Sequence, residues 1–185
     1  MYRSLEEICK EAAATGYSFW ELIQKDDCRE RQIAQEESFV QLQRMYQAMK
    51  EADQDCDETL HSRSGLVGTD GGKLEHYVEQ EEPMEKAVKM GESNACMKRI
   101  VAAPTTGACG VVPADFLSMQ EKYHYTDEEM TKALYVAAGI GGVIASRAFI
   151  AGAQGGCQAE IGSASAMAAG GAVHLRGGSA EAVAH

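Results

Sequence analysis

The sequence contains few aromatic residues and few prolines. Phe, Trp and Tyr make up 6% of its 185 residues, and only three prolines occur. Hydrophobic residues nevertheless make up 45%, so Ala, Gly and Met supply much of the apolar surface. Small side chains let helices approach one another closely, whereas β-sandwiches draw on β-branched and aromatic residues. The composition therefore favours closely packed helices, and the length suits one domain.

Basic residues are also scarce. Seventeen Lys and Arg stand against 28 Asp and Glu, which gives a net charge of -11. This imbalance argues against nucleic acid and anionic membranes as partners. The uncharged run 133–146 is shorter than the ~18 residues that a membrane-spanning helix requires. The chain opens with charged residues rather than a signal peptide, so we expect a soluble, cytoplasmic protein.

No two cysteines form a C-x-x-C pair. This absence excludes a zinc ribbon, a ferredoxin-type run and a thioredoxin-like motif as local patterns. The six cysteines are scattered, and in a cytoplasm we expect their thiols to be reduced. They are Cys9, Cys28, Cys56, Cys96, Cys109 and Cys157.

Helix signals occur along the whole chain. Capping-box patterns occur at 4–7, 18–21 and 126–129. A further helix is predicted from Pro83 to about Ile100, with an interruption near Gly91. A longer helix is predicted from about residue 29 to 52, and its apolar stripe is typical of a core or of a subunit interface. The stripe consists of Phe39, Leu42, Tyr46 and Met49. Because no segment alternates like a strand, the sequence predicts an all-α fold.

Three glycine-rich turns, at 62–72, 101–110 and 152–157, interrupt the helices and are expected to converge on one pocket. The first contains the hydroxyls of Ser62 and Ser64, and the second those of Thr105 and Thr106. Hydroxyls and free backbone N–H groups ahead of a helix can bind an anion. For the first turn, an ordinary flexible loop is an equally good interpretation. In the third turn, Cys157 is either a buried, inert thiol or part of a site, because glycines let a bound group approach the backbone.

These turns resemble, in this order, the α-subunit of the iron–sulfur-dependent L-serine dehydratases. The matching stretches are Ser-Arg-Ser-Gly-Leu-Val-Gly-Thr-Asp-Gly-Gly (62–72), Pro-Thr-Thr-Gly (104–107) within 99–113, and Gly-Ala-Gln-Gly-Gly-Cys-Gln-Ala-Glu-Ile-Gly-Ser (152–163). The third is the most specific, and the resemblance covers essentially the whole chain. It implies an all-α cytoplasmic enzyme of amino-acid catabolism and gluconeogenesis. Such an enzyme converts L-serine to pyruvate and ammonia.

The resemblance also implies a [4Fe–4S] cluster held by three cysteines. Cys157 corresponds to one ligand, and the other two are expected beyond the end of this chain. Residues 1–185 are accordingly interpreted as a single helical domain of a C-terminally truncated alpha subunit, with little activity alone. Cys109 is interpreted as structural. A beta subunit or a second copy of the chain is the expected protein partner.

In the implied mechanism the open iron of the cluster acts as a Lewis acid on the hydroxyl of serine. Ser62, Ser64, Thr105, Thr106 and Gly107 are the candidate substrate-binding residues. The general base is not identified: Lys73 and His61 lie near the turns, but each has the character of a surface residue. Two alternatives remain, namely a non-catalytic helical interaction module that binds a regulatory subunit through the 29–52 helix, and a metal-free anion-binding domain.

Overall fold

The computed structural model describes residues 2–57, 59–75 and 83–185. Within these ranges the chain forms α-helices and one 3₁₀ turn, with no strand, so the all-α prediction is confirmed. The helices are α1 (Leu5–Thr15), α2 (Phe19–Arg31), α3 (Gln35–Gln54), α4 (Asp70–Glu75), α5 (Pro83–Ala95), α6 (Val111–Tyr123), α7 (Asp127–Ala145), α8 (Gly152–Leu175) and α9 (Ala180–Ala184); the 3₁₀ turn is Thr106–Ala108. None of these helices is both long enough and apolar enough to cross a bilayer.

The capping signals start helices where the sequence predicts them. The hydroxyl of Ser4 accepts a hydrogen bond from the backbone N–H of Glu7 at 3.2 Å. At the start of α7 the contact is reciprocal: the Glu129 N–H donates to the Thr126 hydroxyl at 3.2 Å, and the Thr126 N–H donates to the Glu129 carboxylate at 2.7 Å. Each bond satisfies an N–H group that has no partner inside its helix.

Two predicted helix boundaries are wrong. The helix expected over 29–52 begins only at Gln35, because Gln32 adopts a left-handed conformation and ends α2. The helix that begins at Pro83 was expected to be interrupted near Gly91 and to reach about Ile100. It instead continues through Gly91 and ends at Ala95. A glycine in a helix costs only about 1 kcal/mol relative to alanine, which the burial of neighbouring side chains offsets.

The core is built around α7, which packs against α2, α3 and α8. Its residues Met130, Ala133 and Val136 have no solvent exposure. Small residues on α8 make this packing possible, because a Cβ on Gly170 would lie 2.0 Å from the Cδ1 atom of Ile140 on α7. Close packing of small and large residues is what the composition predicts.

An ion-pair cluster centred on a buried lysine joins the elements that flank the second turn. The ammonium of Lys86 on α5 lies 3.2 Å from a carboxylate oxygen of Asp53 on α3 and 3.0 Å from one of Glu121 on α6. The segment 96–110 connects α5 to α6, so this cluster fixes the two ends between which that segment must run.

Candidate functional site

The second turn is a compact element between α5 and α6. It contains a cis peptide bond between Ala103 and Pro104, followed by the 3₁₀ turn and the first residues of α6. The side-chain amide of Asn94 donates to the carbonyl oxygen of Thr106 at 3.3 Å. Cys109 is buried, and burial raises the pKa of its thiol. A protonated thiol in this position is suited to packing, as the structural interpretation of Cys109 expects.

Two glycines of the third turn have a steric reason and the third has a conformational one. A Cβ on Gly152 would lie 2.5 Å from the carboxylate of Glu160, and one on Gly155 would overlap the carbonyl oxygen of Phe149. Gly156 has φ 81° and ψ 165°, a conformation that side chains rarely adopt, and it kinks α8 there. Cys157 follows the kink directly and is exposed. The turn therefore presents an accessible thiol rather than a buried one.

Glu160 connects the second and third turns. One of its carboxylate oxygens, Oε1, accepts a hydrogen bond from the Thr105 hydroxyl. Its other oxygen, Oε2, lies beside the backbone of both turns: a Cβ on Gly107 would be 2.6 Å from it, and one on Gly152 would be 2.5 Å away. The fold thus brings Thr105 and Gly107 next to the segment that carries Cys157.

The first turn is organised around its own hydrogen bonds and around α5. The hydroxyls of Ser62 and Ser64 lie 3.1 Å apart, and the Val67 N–H donates to Ser62 Oγ at 3.2 Å. The Asp70 and Gly71 N–H groups donate to the Glu92 carboxylate at 2.7 and 3.2 Å. In the described part of the chain no hydrogen bond joins Ser62 or Ser64 to the other two turns.

Lys73 and His61 lie at the surface. The ammonium of Lys73 is 2.8 Å from Asp70, and this hydrogen bond raises the lysine pKa. A lysine with a raised pKa is protonated at neutral pH and is therefore a poor base. His61 is exposed.

The described residues do not by themselves complete a site for a three-thiolate cluster. Over 2–57, 59–75 and 83–185 there is no group of three His, Cys, Asp or Glu side chains that could hold a metal ion. Cys157 provides one accessible soft donor, the class of ligand that iron–sulfur clusters require. Of the three cysteine ligands that such a cluster requires, the described residues thus provide one, Cys157.

A separate groove of about 380 Å³ lies between α2, α3 and α7. Ile23, Asp27, Met45 and Tyr135 are among its lining residues, and no residue of the three turns contributes to it. Tyr46 and Met49 of the predicted α3 stripe are buried against the core of the chain itself. The stripe therefore serves mainly the internal core.

The sequence matches the family model described as serine dehydratase alpha chain over residues 14–185. The chain belongs to the serine dehydratase alpha chain family. It is 35% identical over 190 residues to a probable L-serine dehydratase alpha chain of Bacillus subtilis (strain 168), covering 98% of this chain and 63% of that relative. It is 46% identical over 102 residues to the L-serine dehydratase alpha chain of Peptoniphilus asaccharolyticus, covering 55% of this chain and 35% of the relative.

A third relative is the L-serine dehydratase TdcG of Escherichia coli (strain K12). This chain is 46% identical to it over 95 residues, which cover 50% of this chain and 21% of that protein. The matches thus span less than two thirds of each of these three relatives. As a member of the serine dehydratase alpha chain family, this chain corresponds to part of their length.

Sequence reasoning missed the structural part that Glu160 and Glu92 play at these turns. In the sequence, Glu160 is only one of the polar residues of the 152–163 motif. The available signal was the pair of glycines at 107 and 152. Glycine indicates that some group lies close to the backbone, but it does not identify that group as the Glu160 carboxylate. Glu92 gives no sequence signal, because a glutamate on an amphipathic helix is normally solvated.

Proposed function

We propose that this chain forms part of the catalytic alpha subunit of an L-serine dehydratase, an L-serine ammonia-lyase that yields pyruvate and ammonia. The names of the relatives support the substrate and the reaction. The structural observation that carries the proposal is the contact of Thr105 and Gly107 with Glu160, which joins the two family motifs at one place. A cytoplasmic location and a beta subunit or second copy as partner belong to the same proposal.

The second turn is the proposed seat of the substrate carboxylate. Thr106 is exposed, and its backbone precedes the N-terminus of α6, where N–H groups favour anions. Thr105 already donates its hydroxyl hydrogen to Glu160, so its oxygen remains available as an acceptor. We therefore assign the donor role mainly to Thr106, with Gly107 providing backbone. Ser62 and Ser64 complete the proposed set of substrate-binding residues.

Cys157 is the proposed ligand to an iron–sulfur cluster. Its exposure after the Gly156 kink leaves room for a bulky group at the thiol. When bound, a cluster with one open iron supplies a Lewis acid that weakens the bond between serine Cβ and its hydroxyl. Two further thiolates would have to come from outside the described residues of this chain.

The overall reaction sets what the protein must do. Loss of the Cα proton and of the Cβ hydroxide gives 2-aminoacrylate and water. The aminoacrylate then tautomerises to an imine, and hydrolysis of that imine gives pyruvate and ammonia. The task of the second turn is to hold the carboxylate so that the Cα–H and Cβ–O bonds keep a fixed orientation.

The test is a chimera that joins residues 1–185 to the remaining portion of the Bacillus subtilis relative. After anaerobic incubation with iron and sulfide, L-serine-dependent pyruvate formation is measured together with iron and sulfide content. We expect turnover by the chimera and little turnover by residues 1–185 alone. Cys157→Ser should abolish turnover and deplete iron while helical content stays at the wild-type level.

Thr106→Val in the same chimera tests the carboxylate contact. Losing a hydrogen bond to a charged group costs about 1.5–3 kcal/mol, so serine binding should weaken roughly tenfold or more. Ser165→Ala, an exposed change on α8, is the matched control. A folded, iron-loaded chimera without serine turnover would contradict the proposed reaction, and wild-type iron content and turnover in Cys157→Ser would contradict the ligand assignment.

A further inference from the structure

The carboxylate of Glu160 occupies space that two glycines leave open. On Gly107, a Cβ would approach all three carboxylate atoms to 2.6–2.7 Å, and on Gly152 it would lie 2.5 Å from Oε2. Real Cβ atoms are not found that close to another heavy atom. Neither glycine has a positive φ, so backbone conformation does not require glycine at these positions. Glycine at both positions therefore leaves room for the Glu160 carboxylate in its observed place.

Glu160 also spans the kink in α8. It follows Gly156 along the chain, whereas Gly152 precedes it. A side chain from the residues after the kink thus lies beside the backbone of Gly152 before the kink, and it binds the hydroxyl of Thr105 in another segment. Cys157 lies between Gly152 and Glu160, so its position depends on the angle that this contact fixes.

We propose that Glu160 is a positioning residue that clamps the Thr105–Gly107 turn against the first turn of α8 and thereby sets the place of Cys157. The inference rests on the proposed function for its catalytic meaning. The clamp itself is a property of the apo chain, because its three contacts need neither substrate nor cofactor. It holds the proposed substrate-binding turn and the proposed cluster ligand at a fixed separation.

The first test measures local order without activity. Hydrogen exchange at 101–110 and 150–157 and the alkylation rate of Cys157 are compared in wild type, Glu160→Gln and Glu160→Ala. Cys157 is exposed while the other five cysteines are half-buried or buried, and Cys157→Ser gives the background rate. We expect Glu160→Ala to speed exchange in both segments at least tenfold and to change the alkylation rate at least threefold.

Glu160→Gln and a control variant show whether the change in exchange and alkylation comes from loss of the clamp. Glu160→Gln keeps the size and one acceptor oxygen for Thr105, so it should restore most of the wild-type protection. Ser165→Ala, an exposed change on the same helix, should alter neither readout. Exchange and alkylation within twofold of wild type in Glu160→Ala would overturn the proposal. A uniform increase over α7 and α8 would also overturn it, because that pattern indicates general destabilisation.

A second test uses the steric relation between the partners. Gly107→Ala should lower the melting temperature in the wild-type background, because the new methyl group displaces the Glu160 carboxylate and breaks its hydrogen bond with Thr105. In the Glu160→Ala background the same change should be tolerated, so the two effects are not additive. Gly142→Ala, whose Cβ would meet nothing within 4 Å, is the matched control.

If Gly107→Ala lowered the melting temperature by the same amount in both backgrounds, the clamp would be refuted. This comparison holds even if Glu160→Ala alone is less stable than wild type. Neither test involves serine or iron, so failure of the clamp is distinguishable from failure of the dehydratase assignment. A clamp without turnover would leave the positioning role in place and contradict only the proposed reaction.

Discussion

Replacing Lys86 by Met should destabilise the chain strongly, because it removes the cation that joins α3, α5 and α6. The Lys86 side chain is 10% exposed, and its partners Asp53 and Glu121 are 16% and 46% exposed. Breaking a fully buried pair costs about 3–5 kcal/mol, mainly because the remaining charge loses its partner. Glu121 can be solvated again, so Asp53 dominates the cost. We expect a loss of about 2–4 kcal/mol.

The buried oxygen Oδ1 of Asp53 makes this cost hard to avoid, because it has no hydrogen-bond partner in the described part of the chain. Burial lowers the pKa of Lys86, but the carboxylates of Asp53 and Glu121 raise it by more than burial lowers it. The net shift of this pKa is therefore upward. A raised lysine pKa contributes stability that is fully present below about pH 10.4 and is lost as the pH rises through the folded-state value. The difference between wild type and Lys86→Met should therefore be complete at pH 7.

Thermal and urea unfolding followed by circular dichroism measure this difference. For a chain of this size, 1 kcal/mol corresponds to about 2–4 °C, so the melting temperature should fall by roughly 4–16 °C. Adding Asp53→Asn to Lys86→Met should recover part of the loss, since no unpaired charge then remains at position 53. Lys10→Met removes an ion pair in which both side chains are 74% exposed, and it should cause no measurable change. A Lys86→Met protein as stable as this control would refute the reasoning.

Three further predictions concern local pKa values and packing. Burial lowers the pKa of His174, so stability should fall as the pH drops below about 6.5, and His174→Gln should flatten melting temperatures measured between pH 7 and 5. Burial raises the pKa of Asp115, which costs stability as the pH rises above about 3.9; Asp115→Asn should melt higher than wild type at pH 7 but not at pH 3. Gly171→Ala would push a methyl group into Phe116 and should cost about 1–3 kcal/mol in urea unfolding, whereas Gly162→Ala, which meets open space, should cost nothing. The first argument would be contradicted if the melting temperatures of wild type and His174→Gln fell equally between pH 7 and 5. The second would be contradicted if wild type and Asp115→Asn melted at the same temperature at pH 7. The third would be contradicted if Gly171→Ala and Gly162→Ala had the same urea midpoint.

The sequence alone determined the helical class, several helix starts and the family. Capping residues act within three or four positions of one another, so Ser4 and Thr126 mark the starts of helices before any tertiary contact is known. The motifs at 101–110 and 152–163 are likewise local strings, and they indicate the family without a fold. The boundary errors arose where a single residue, such as Gln32, adopts a left-handed conformation that its identity does not announce.

Only the tertiary structure decided what the glycines are for. Gly107 and Glu160 are far apart in sequence, and they meet because α8 packs beside the 3₁₀ turn. A glycine in a sequence shows that a side chain is missing but not which group takes its place. The same limit applies to Glu92, whose carboxylate binds two N–H groups of the first turn. Such contacts depend on the relative positions of whole helices, which the packing of many side chains sets together, and no local pattern encodes them.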